Sequence, residues 1–217
     1  MSRGDWFRGA AADAESMRSF EERLGRATQQ HRPQYLRIKA MEILDQTDDP
    51  EAWNVAESLL RRVIVDHPDA FDVPMAHVGL AEYHRFLSQW GDALGHYQLS
   101  IDLTSPRRSG STGVEEVDMA EVLVKRNAPG DNTRALELLA SEHLRAQHHF
   151  NSTLFRMSVC RARAQSRLGV DPSAAAREAL RLASTTEPQL PRHPTVGMVN
   201  ADQQTLEELQ QYASGNC

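Results

Sequence analysis

Residues 80–103 read LAEYHRFLSQWGDALGHYQLSIDL, and their period decides the fold. Apolar and small side chains return at three- and four-residue steps, the mark of an amphipathic helix rather than of an alternating strand. The spacing predicts a helix from Met75 to Leu87, a short turn carrying Trp90, and a second helix from Gly91 to Leu103. Ala81 and Ala93 are small enough to let two such helices approach closely. Two helices alone cannot bury both of their inner faces, so the pair needs neighbours of the same kind.

Those neighbours are legible on either side. Upstream, Met17, Phe20, Leu24 and Ala27 draw one stripe along a helix over 13–30, with Asp13 or Ser16 as its cap. Trp6 and Phe7 precede it and are expected to fold back onto the helical core. Pro33 suits the first turn of a second helix, whose face is Leu36, Ala40 and Ile43. Asp49 and Pro50 then start a third, with Ala52, Ala56, Leu59, Leu60 and Val63 on its inner side. Downstream, the Ser-, Gly- and Pro-rich stretch 104–113 reads as a long loop. Helices follow over 114–126, 133–143, 151–168 and 173–184, with Gly169 as a stop between the last two. Pro188, Pro191 and Pro194 favour an extended path before a last helix over 201–212.

Repeated helix pairs resemble the tetratricopeptide repeat, and residues 80–103 carry that resemblance best. Leu80 and Ala81 match its Leu–Gly/Ala pair, Trp90 the aromatic at the turn, Ala93 its small residue, Tyr97 the second-helix aromatic and Ser100 the later small position. Pro106 stands one residue from the family's closing proline, His84 where Tyr is usual and Ser88 where Gly is usual. Residues 56–68, 119–139 and 156–183 follow the pattern less closely. The resemblance implies an all-α fold of antiparallel helical hairpins stacked as a short right-handed superhelix. One domain is expected over 1–217: a capping helix (13–30), about four degenerate hairpins (34–184), and a Pro-rich extended segment with a final helix (185–217).

Composition excludes several functions. The 217 residues carry a net charge of −6, which gives no basic footprint for nucleic acid. Mean hydropathy is −0.54, and no apolar run is long enough to span a membrane. The opening residues hold no apolar core of a secretory signal, so the expected compartment is the cytoplasm. Cys160 and Cys217 are the only cysteines, too few for a disulfide framework or a zinc site. Neither a phosphate-cradling glycine loop nor a nucleophile elbow is present, and no cofactor is expected. The nine histidines lack ligand spacing: His77 and His84 lie two turns apart, and His143 and His148 are five residues apart. Glu115 and Glu116 fit the first turn of a helix, where their charge complements the dipole.

Arginines make the remaining pattern. Arg156, Arg163 and Arg167 line one side of the helix over 151–168, and Arg37 and Arg85 fall on first helices of the repeat. In the family, first helices line the concave groove, which would add Met75, Val78 and Glu82. The resemblance therefore implies a non-enzymatic scaffold or adaptor whose groove holds a protein or peptide, with guanidinium anchors for carboxylates. The carboxylate-clamp residues of some family members are not reproduced, since Met41 stands at the position of their Asn. The plainer expectation is that these arginines pair within the chain, for example with Asp171 or Glu178. A regulatory sensor for a peptide or small ligand is the alternative, and a metal-dependent enzyme a more distant one. Homo-oligomerisation is compatible with either.

Overall fold

The computed structural model describes residues 5–104, 113–146, 149–190, 192–193 and 195–215. Those residues are helical or irregular, and no strand occurs among them. They form two compact units, Met1–Glu115 and Glu116–Cys217.

In the first unit, α1 (Ala14–Arg26) starts as its sequence dictates. The Asp13 carboxylate accepts from the Glu15 and Ser16 amides at 3.1 and 3.0 Å. A single 3-10 turn leads into α2 (Arg32–Gln46), which carries Pro33 in its first turn. Asp49 caps α3 (Pro50–Asp66), followed by α4 (Val73–Phe86) and α5 (Trp90–Leu103). The α2–α3 and α4–α5 neighbours are hairpins, and α4 also packs on α2 and α3. That is the arrangement of two hairpins stacked side by side. Their common core holds Leu36, Ala40, Ile43, Ala56, Leu60, Val63, Ala76 and Leu80.

Close approach is what the small residues provide. Ala81 and Ala93 are fully buried. A Cβ at Gly79 would lie 2.8 Å from Leu60 and 3.0 Å from Met41, so the absent side chain admits both. Ser88 adopts φ +56° at the α4–α5 turn, the left-handed conformation for which glycine is the usual residue. Trp6 and Phe7 do fold back, against Phe20 and Tyr35 at ring-centroid distances of 4.6–5.5 Å. Lys39 is buried, and its ammonium donates to the Gly9 and Ala11 carbonyls at 2.7 Å, which fastens the N-terminal segment.

The second unit contains α6 (Glu115–Arg126, its first residue shared with the first unit), α7 (Asp131–Leu139), α8 (Glu142–Ala146), α9 (Asn151–Arg167), α10 (Ser173–Ala183) and α11 (Gln203–Ala213). The single helix expected over 133–143 is therefore two. Arg126 grips both Asp131 oxygens at 2.6 and 2.8 Å, and Asp131 also accepts the Ala128 amide, so α7 begins two residues early. It stops at Leu139, where the Ser141 hydroxyl accepts the Leu144 amide and restarts the chain as α8. Gly169 ends α9 as expected, at φ +69°.

The tail corrects the expectation of an extended run. Its described residues turn repeatedly, with amide–carbonyl bonds from His193 to Leu190, Val196 to His193 and Met198 to Thr195. Proline fixes only φ, and that value serves a turn as well as an extended chain. The tail comes back to the start of α9: the Gln189 side chain accepts the Asn151 amide at 2.6 Å and the Gly197 carbonyl accepts the Ser152 amide at 3.1 Å. Both amides are first-turn donors with no intrahelical acceptor. Pro191, Pro194, Cys217, His148 and most of the expected loop (105–112) lie outside the described residues.

Candidate functional site

The eight residues singled out by the repeat pattern fall in separate units: Arg37, Met75, Val78, Glu82 and Arg85 in the first, Arg156, Arg163 and Arg167 in the second. Each arginine among them has a partner within its unit. Arg37 donates to Asp72 at 2.6 Å. Arg85 reaches Glu82, which also accepts the hydroxyl of fully buried Tyr97 and so ties α5 to α4. Val78 is buried and Met75 half-buried. Arg156 holds Glu121 through two bonds of 2.7 and 2.8 Å and reaches Asp118 as well. Arg163 grips Glu208 of α11 at 2.7 and 2.9 Å, and Arg167 donates to the Val124 carbonyl. These ion pairs raise the affinity of the Arg156 and Arg163 guanidiniums for their protons against the opposing effect of burial. The partners differ from those suggested by sequence: Glu178 binds Arg181, and Asp171 caps Ser173.

A cavity of about 450 Å³ opens instead among α7, α8, α9 and α10. Its apolar wall is Leu139, Leu144, Leu154 and Met157. Two arginines stand at its rim, and neither forms an ion pair among the described residues. Arg145 donates to the Ala140 carbonyl at 2.6 Å, and Arg161 makes one long contact, 3.5 Å, with the Leu139 carbonyl. Both guanidiniums thus sit at the C-terminal end of α7, where the helix dipole attracts a cation, and both keep donors to spare. The carboxylate on the lining, Glu178, is held by Arg181 through both oxygens at 2.6 and 2.8 Å. The rim therefore presents two guanidiniums with no carboxylate partner among the described residues, beside an apolar floor.

The arginine pattern in the sequence singled out neither Arg145 nor Arg161, because the α7–α8 break that brings Arg145 round interrupts a continuous helical pattern. Sequence reasoning also missed a histidine cluster. His96 of α5 lies against His77 and His84 of α4, and no spacing within one helix could have announced it. No three His, Cys, Asp or Glu among the described residues converge as metal ligands. Cys160 is buried within α9, and burial pushes its thiol up to about 12, far from the range of a nucleophile. No described helix is long and apolar enough to cross a membrane. Comparisons with protein families, with curated proteins and with solved structures return no match.

Proposed function

We propose that this chain is a non-enzymatic, tetratricopeptide-like scaffold that binds a peptide segment of a partner protein through the second unit's cavity. The segment would pair an apolar side chain with a carboxylate. The observation that carries this reading is the coincidence of a cavity of about 450 Å³, with a leucine and methionine wall, and two guanidiniums that no carboxylate engages among the described residues. The volume lies in the range of small-ligand and side-chain pockets. A planar guanidinium with free donors recognises a carboxylate through two parallel bonds, which fixes orientation while the apolar contact supplies affinity. Of the arginines first suggested as anchors, Arg156, Arg163 and Arg167 serve this reading indirectly, by tying α9, which lines the cavity, to α6 and α11.

Peptide display against the intact protein tests it. Selection should enrich sequences with Asp or Glu beside Leu, Met or Phe, and Arg161→Glu should abolish the enrichment. Enrichment of the same sequences by that variant, or no enrichment from the wild type, would refute the assignment.

A further inference from the structure

Three imidazoles meet between α4 and α5. His77 and His96 face each other with their Nδ1 atoms 3.0 Å apart, and the His84 ring lies within 11° of parallel to that of His96, 5.4 Å away. His77 and His84 are both buried, and His96 is half-buried. The short contact is a hydrogen bond only if one Nδ1 carries a proton and the other does not. His84 is committed elsewhere: its Nδ1 contacts Gln89 Oε1 at 2.7 Å, which requires the imidazole to donate.

The surroundings offer little to a second proton. Among the described residues, none of the three rings contacts a carboxylate. The charged groups facing His96 are Arg61 of α3, which opposes protonation, and Asp92 of α5, which favours it and has the smaller influence. Nothing in this arrangement can hold two imidazolium rings at 3.0 Å, where both would be donors of like charge.

We propose that the His77–His84–His96 cluster is a proton-operated latch, in which proton uptake separates α4 from α5 and opens the first unit. The consequence follows from the fold. Ala81 and Ala93 bring the two helices close, and the Tyr97–Glu82 bond ties them, so a charge inserted between the rings acts on the seam that joins the hairpin. α4 packs on α2 and α3 as well, which carries the loosening into the neighbouring hairpin.

Burial, and then the two neighbouring histidines, bring His96 down to about 4 from an ordinary value of 6.5, and burial also lowers His77. A lowered value for a base means that the unfolded chain binds the proton first as pH falls. The latch is therefore fully closed above about pH 6.5 and loses its hold down to about pH 4.

Amide hydrogen exchange of the whole protein, corrected for the intrinsic pH dependence of exchange, reads this directly. Between pH 7 and pH 5, protection over 73–103 should fall at least about tenfold further than protection over 151–183. His96→Gln should remove most of that difference. Imidazole C2–H titration of the wild type gives a second reading that requires no variant to fold, and it should place the His96 resonance well below the ordinary value of 6.5. Parallel losses in both segments, or a His96 resonance titrating near pH 6.5, would overturn the proposal.

Discussion

Replacing Arg156 by Met keeps the aliphatic stem of the side chain and removes its charge. In the folded second unit the Arg156 side chain is 35% exposed and faces the carboxylates of Asp118 and Glu121, whose side chains are 12% and 24% exposed. Each charge-assisted bond is worth roughly 1.5–3 kcal/mol when well shielded, and Glu121 is held by two of them. Partial exposure reduces that, because water screens the pair and solvates the orphaned oxygens. Two carboxylates left side by side, Asp118 buried and Glu121 half-buried, add a penalty of the opposite kind, their mutual repulsion. The balance is a loss of about 3 kcal/mol, on the order of 10–20 °C in Tm for a cooperative unit of this size. Urea denaturation followed by a probe within the second unit measures it. A cycle with Glu121→Gln should return a coupling of about 1–2 kcal/mol. A loss within about 0.5 kcal/mol would show Arg156 to be an ordinary surface residue. It would then be available as a binding anchor, and the clamp reasoning would fail.

Two further outcomes are expected. Ser88→Gly should stabilise the first unit by about 0.5–1 kcal/mol, because a left-handed φ of +56° costs serine more than glycine loses in the unfolded chain; destabilisation in thermal melts would contradict this. In a Cys217→Ser background, an aromatic disulfide reagent at pH 8 should find no reactive thiol in the native protein and one after denaturation, since Cys160 is buried with its thiol pushed up to about 12.

The helices were legible where local chemistry decides them. Asp13, Asp49 and Gly169 act at their helix ends as their residue types require, and Ala81, Ala93 and Tyr97 are buried at the positions their spacing assigns. Ser88 is instructive, since it occupies a left-handed turn that the repeat gives to glycine, so the backbone kept the turn and the side chain bears the strain. The candidate site was harder to read. A stripe of arginines on one helix says nothing of which carboxylates lie opposite, and Glu208 is 45 residues from Arg163. The cavity depends on an interruption between α7 and α8, where the Ser141 hydroxyl accepts the Leu144 amide, against a continuous helical pattern. The imidazole cluster joins two helices across 19 residues, beyond the reach of any helical period.

On the proposed function, an acidic, apolar peptide segment occupies the second unit's cavity, floored by Leu139, Leu144, Leu154 and Met157. Methyl-resolved NMR of the whole protein, titrated with a peptide selected as described, tests it most directly. Saturable shifts concentrated on the Met157, Leu144 and Leu154 methyls, and absent from Arg161→Glu, are the predicted result. Binding that leaves those methyls unmoved and shifts Met75 and Val78 instead would contradict the account.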